Sequence, residues 1–257
     1  MKQETIALLE FDENRTSKVT PEHFDTTPKN LPERCVIAFS LTSVLEVAEK
    51  YNAKLISKVV CCTCEIPIYL LDFQGTQIAL TVGFIGASNA AMQVEELYAA
   101  GVRKFIVCGS CGALTSNPLG ALVIPDSAVR DEGASFHYAP PSYEIKADRE
   151  VIESIAGTLK ALSIPHTFGK TWTTDAMYRE TEEKIALRRS QGCVTVEMEA
   201  SAMMAAAQFH GARLGQILYC GDDLSSDEYD HRNFFSAAEI RRNLAEFSLQ
   251  CCKDLNV

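Results

Sequence analysis

From residue 36 onward, short apolar runs alternate with segments whose apolar residues recur at helical spacing, and the alternation persists to residue 250. Residues 36–39 and 105–108 read as buried strands, and residues 121–124 form another that stops at Pro125. Val44, Leu45, Val47 and Ala48 fall on one side of a helix. Residues 90–100 do the same with Ala91, Val94, Leu97 and Tyr98, and Gly101 follows where a helix-ending glycine belongs. Residues 66–71 and 78–82 flank Asp72-Phe73-Gln74-Gly75, which predicts a hairpin. Further helices are expected at 147–162, 180–190, 198–209 and 236–250, with strands near 166–171, 194–196 and 213–220. Such alternation predicts an α/β fold: a mostly parallel or mixed central sheet covered on both faces by helices, with its site at the carboxyl ends of strands.

No linker, repeat or composition break divides the chain, so its 257 residues are read as a polar N-terminal arm, 1–34, carrying Pro21, Pro28 and Pro32, and one domain, 35–257. The charge sum, 24 − 34 = −10, opposes binding to nucleic acid or to anionic lipid. The first residues lack the basic and apolar regions of a signal peptide, and no apolar stretch is long enough for a membrane span, so a cytoplasmic protein is expected. Ten cysteines invite a disulfide or metal reading. A disulfide framework belongs to short secreted chains. Cys108/Cys111 has no second ligand pair at zinc spacing, and buried reduced thiols are the simpler reading; Cys61-Cys62-Thr63-Cys64 is the other cluster open to redox chemistry. No metal site is expected.

Four segments could carry chemistry. Gly83-Phe84-Ile85-Gly86-Ala87-Ser88-Asn89 is a small-residue loop before a helix, able to offer backbone N–H groups to an anion but without Walker or dinucleotide spacing. Gly109-Ser110-Cys111-Gly112 follows a strand and offers a hydroxyl, though a tight turn explains it as well. In Val196-Glu197-Met198-Glu199-Ala200, two acids open a helix apolar enough to be buried; they are either capping groups or working carboxylates. Asp222 and Asp223 end the apolar run 217–219, where an acid is either a solvated loop residue or a general acid or base.

In combination these segments resemble the nucleoside phosphorylase-I superfamily, which includes uridine phosphorylases and hexameric purine nucleoside phosphorylases, over roughly residues 35–250. Val196-Glu197-Met198-Glu199-Ala200 is similar to the family's ribose motif, and the stretch from Val94 through Gly109-Ser110-Cys111-Gly112-Ala113 is similar to uridine phosphorylases, as are the segments Arg130 to Tyr138 and Thr173 to Arg179. The resemblance implies a single α/β domain whose central mixed sheet is partly closed into a barrel and flanked by helices, assembled as a homodimer or homohexamer. It implies that Glu199 accepts hydrogen bonds from ribose hydroxyls, that Met198 packs on the sugar and that Glu197 shapes the pocket. Trp172 would stack on the base, Phe84 would lie at the sugar-side loop, and Asp222 would protonate the leaving base. The substrate would be a small-molecule nucleoside, with no cofactor and with phosphate as co-substrate held by Ser110, Gly109 and Arg130.

The phosphate elements of the family are a Gly-Asp-x-x-Arg loop near the N-terminus, an arginine just before the Gly-Ser/Thr turn, and that hydroxyl. Here Phe39-Ser40-Leu41-Thr42-Ser43 has neither the glycine nor the arginine, Cys108 stands where the second arginine is expected, and Ser110 remains. Cysteine and serine cannot reproduce the charged fork of arginine. Three functions therefore stay open: a nucleoside phosphorylase that yields base and ribose 1-phosphate, recruiting phosphate through Arg130, Arg179 or a neighbouring subunit's arginine; a nucleosidase using water; and a non-catalytic nucleoside-binding protein. The base is open too, since Asp222 suits a purine while overall similarity favours uridine. His137, His231, Tyr138 and Arg232 are further candidates for substrate contact.

Overall fold

The computed structural model describes residues 6–24, 26, 28–233 and 236–257. Its elements run β1 (Arg34–Ala38), α1 (Leu41–Lys50), β2 (Lys54–Val60), β3 (Glu65–Phe73), β4 (Thr76–Val82), α2 (Ala87–Ala99), β5 (Lys104–Ala113), β6 (Leu122–Asp131), β7 (Glu144–Lys146), α3 (Arg149–Ala161), β8 (His166–Thr174), α4 (Glu182–Ser190), β9 (Cys193–Glu197), α5 (Ala200–His210), β10 (Arg213–Asp223) and α6 (Ala238–Asp254). The predicted hairpin is β3–β4, turned by Gln74 and Gly75 with Asp72 Oδ1 accepting from the Gly75 N–H. Side chains cap three helices: Ser40 for α1, Asp148 for α3 and Thr181 for α4. Gly101, at φ 120°, ends the α2 segment where a Cβ would lie 2.9 Å from the Leu31 carbonyl oxygen, so the chain reversal there needs glycine on two counts.

The sheet is mixed. Five strands close on themselves in the order β5-β10-β6-β8-β9-β5, and β1, β4, β3 and β2 continue outward from β5. The closure turns on β5. Its first half pairs with β1 (Arg34↔Lys104 to Ala38↔Cys108), its last residues pair with β9 (Gly112↔Val196, Ala113↔Thr195), and β10 follows its other edge throughout. Between those partners lie Gly109, Ser110 and Cys111, where β1 has ended and β9 has not begun. Gly109-Ser110-Cys111-Gly112 is therefore strand, not the tight turn that its composition suggests. Pro125 does not stop β6 either, because it sits at a register shift against β8 where no ladder N–H is needed.

Two apolar layers enclose the sheet. One is built around α2 and α5, and α5 is buried along all eight residues from Ala200 to Ala207. The other joins α1, α3 and α6 to the opposite face. Ahead of β1, residues Ala7–Leu9 and Pro21–His23 form short 3-10 turns, and the Leu31 N–H bonds the Ala100 carbonyl. Among the described residues, no helix is long and apolar enough to cross a membrane.

Candidate active site

A cavity of about 670 Å³ opens at the carboxyl ends of β1, β4, β5 and β10, where the β1–β5–β9 exchange leaves the sheet uncovered. Its walls come from Phe39 and Ser40 after β1, Gly83 and Ile85 after β4, Gly109–Gly112 of β5, Met177, Tyr178 and Glu180 after β8, Val196–Glu199, and Gln216, Asp222, Tyr229 and His231 on or after β10. Phe39 wedges between two glycines: a Cβ on Gly83 would meet its ring at 2.7 Å and one on Gly109 would meet it at 3.2 Å.

Glu197 is buried, and both of its oxygens are engaged. Oε2 accepts from the Glu199 and Ala200 N–H groups at 2.7 and 2.6 Å, and Oε1 accepts from the Thr173 hydroxyl at 2.7 Å. It thereby satisfies the first N–H groups of α5, which has no side-chain cap of its own. Burial still pushes its carboxyl above the ordinary range, against the lowering effect of those donors. The network continues from Thr173 to the Ser201 N–H, from the Ser201 hydroxyl to Glu132, and from Glu132 to the Ser135 N–H.

Glu199 stands at the mouth of α5 and accepts the Gly86 N–H on Oε1 at 2.7 Å. Burial, with the Glu197 charge beside it, pushes this carboxyl up to about 8. The Gly86 end of the contact is set by Gln93, whose side chain accepts from the Phe84 N–H and donates to the Val82 carbonyl. Across the cavity, burial raises Asp222, while the Tyr229 hydroxyl and the Arg232 charge work the other way. Burial and the Asp222 charge push Glu180 up to about 7. Four carboxyl groups (Glu180, Glu197, Glu199 and Asp222) thus line the cavity, and no Lys or Arg is among the described lining residues.

Of the residues expected at the site, Glu197, Met198, Glu199, Gly109, Ser110 and Asp222 line one cavity, as does His231. Trp172, Phe84, Arg130 and Cys108 lie elsewhere. Trp172 is fully buried among Leu114, Val129 and Val196, its indole N–H donates to Asp131, and Lys184 and Arg188 approach its ring, so it has no free face for a base. Phe84 points into the layer around α2 and α5, leaving Gly83 and Ile85 to face the cavity. Arg130 spends its donors on Ser135, Ala139, Pro140 and Ser142 and packs over Phe136, which makes it a staple for the 134–142 loop rather than an anion ligand. Cys108 turns toward α6, with burial pushing its thiol up to about 12, so a side chain at this position points away from the cavity; its neighbour Val107 is buried in the opposite layer.

Arg232 pairs with Asp223 and donates to the Asn117 carbonyl, and Tyr138 donates to Glu95 away from the cavity. Sequence reasoning missed Met177, Tyr178, Glu180, Gln216 and Tyr229 as cavity residues. Glu180 had a signal, since it directly follows the Thr173 to Arg179 segment that is similar to uridine phosphorylases. Among the described residues, no group of three His, Cys, Asp or Glu side chains is placed to hold a metal ion.

The fold and the ribose-type carboxylate motif define a class, and comparison with known proteins names it: residues 33–255 match the model of the phosphorylase superfamily, and the chain belongs to that family. It is 29% identical to the guanosine phosphorylase of Halorubrum lacusprofundi over 181 residues, 68% of this chain and 75% of that one. Its fold matches the uridine phosphorylase of Vibrio fischeri ES114 with a TM-score of 0.75 at 23% identity, covering 90% of this chain and 99% of the other. It also matches an AMP nucleosidase from Bacteroides thetaiotaomicron with a TM-score of 0.67 at 21% identity, covering 85% and 88%.

Proposed function

We propose that this chain cleaves the N-glycosidic bond of a nucleoside in the 670 Å³ cavity, and that water, not phosphate, captures the sugar. The observation carrying the second half is the cavity's charge: four carboxyl groups and no Lys or Arg among the described lining residues. A phosphate dianion entering there finds no cationic, bidentate donor among the described lining residues. A sugar that becomes cationic as its bond to the base breaks is stabilised by whichever of these carboxyls is ionised.

In this reading Glu199, fixed by the Gly86 N–H, accepts from the ribose hydroxyls and, in its ionised form, opposes the developing positive charge. Met198 packs on the sugar. Asp222, held protonated longer than an ordinary aspartate, donates to the departing base, and a purine ring nitrogen is the acceptor best suited to it. Met177 and Tyr178 replace Trp172 as the apolar groups for the base, and Ser110 stands on the side from which the nucleophile arrives.

The relatives named as phosphorylases favour a second reading, phosphorolysis with an arginine supplied by a neighbouring copy in a homodimer or homohexamer. Chromatography of purine and pyrimidine nucleosides incubated with the protein in phosphate-free buffer tests the first. Free base is expected, from purines fastest, and its absence until phosphate is added would favour the second.

A further inference from the structure

We propose that Cys61 and Cys64, at the turn between β2 and β3, are a dithiol site that small-molecule disulfides convert reversibly to an intrachain disulfide. The β2–β3 register, Val60↔Glu65, extends one step to place Cys61 opposite Cys64, and the Cys61 N–H donates to the Cys64 carbonyl at 3.0 Å. A hydrogen-bonded antiparallel pair holds its Cα atoms about 5.5 Å apart, inside the span a disulfide bridges. The two Sγ atoms already lie 3.4 Å apart, and the Thr63 hydroxyl is 3.3 Å from Cys61 Sγ.

Access separates this pair from the other thiols. Cys61 is half-buried and Cys62 and Cys64 are exposed, whereas the remaining seven cysteines are buried, including Cys111 and Cys220, which face each other across β5 and β10. Reactivity points the same way. Hydrogen bonds from Thr63, then from Cys64, bring the Cys61 thiol down to about 7, so it attacks as thiolate near neutrality, while Cys64 is raised.

The chemistry balances with a disulfide RSSR as oxidant. The Cys61 thiolate attacks one sulfur, forming a Cys61–SR bond, breaking S–S and releasing RS⁻. Cys64 loses its proton to solvent and attacks Cys61 Sγ, forming Cys61–Cys64 and releasing the second RS⁻, which takes up a proton. The protein is oxidised by two electrons and RSSR is reduced to two thiols; a reducing thiol reverses both steps.

The full chain is incubated with glutathione disulfide, denatured, alkylated and weighed. Eight of the ten cysteines should take the alkyl group, and the tryptic peptide 59–103 should carry a Cys61–Cys64 bond with Cys62 alkylated, lost on treatment with dithiothreitol. Cys62→Ser should keep the bond, and Cys64→Ser should stall with glutathione on Cys61. Alkylation of all ten, a bond that includes Cys62, or a link between two chains would overturn the proposal. None of these outcomes depends on the nucleoside reading.

Discussion

The N–H of Gly86, at the start of α2, donates to the carboxylate of Glu199, at the start of α5, across 2.7 Å and 113 residues of sequence. This contact ties the β4–α2 loop to the ribose-type motif, so one wall of the cavity is positioned by the group proposed to act in it. Glu199→Ala should lower kcat by about 10²-fold or more, the scale of losing a preorganised electrostatic group. Glu199→Gln keeps an acceptor for Gly86 but cannot ionise, so below about pH 7 it should keep the wild-type melting temperature while losing the activity that depends on the carboxylate. Steady-state kinetics beside thermal melting separate the two effects.

Glu199 and Glu180 are both raised, to about 8 and about 7, chiefly by burial. A carboxyl whose folded pKa lies above its unfolded one holds its proton longer in the native state. Its stabilisation is complete below the ordinary 4.5 and is lost as pH rises through the folded value. Urea unfolding should therefore give a lower stability at the alkaline end of the window from about 5 to about 8, by on the order of 3 kcal/mol for Glu199. Glu199→Gln should flatten that slope.

Arg130 and Trp172 should behave as structural residues. Arg130→Ala leaves the Ala139 and Pro140 carbonyls without their donor and should cost about 2–4 kcal/mol, with no change in how the rate responds to phosphate. Trp172→Phe removes the donor to Asp131 and should cost about 1 kcal/mol without altering KM for the nucleoside. Denaturant melts and KM values on the two variants check both statements.

Gly83→Ala puts a methyl 2.7 Å from the Phe39 ring. The ring has Gly109 on its other side, so its escape is into the cavity. KM should rise by about tenfold and stability should fall by about 1–3 kcal/mol. The double variant Gly83→Ala/Phe39→Leu should recover part of both.

Elements with strong local periodicity were legible in the sequence: the β3–β4 hairpin, α2 with its glycine stop, and the buried α5 all lie close to where the pattern puts them. The β5 segment at Gly109–Gly112 was not, because its extended state is fixed by β10 on one edge and by β9 taking over from β1 on the other, pairings absent from the local sequence. The carboxylates of the ribose-type motif were visible as acids at the mouth of an apolar helix. Trp172 and Cys108 misled for one reason: a residue type names a chemistry, but the strand's alternation decides which face receives it. Glu180, Gln216 and Tyr229 reach the cavity from separate elements and carry no mutual spacing to read.

In the proposed function a cavity with no arginine among its described lining residues breaks a nucleoside bond with water. The most direct measurement identifies the sugar released from a purine nucleoside with and without inorganic phosphate. Free ribose is expected in both cases, with a base-release rate that phosphate leaves unchanged. Ribose 1-phosphate as the product, with release that stops when phosphate is withdrawn, would contradict it.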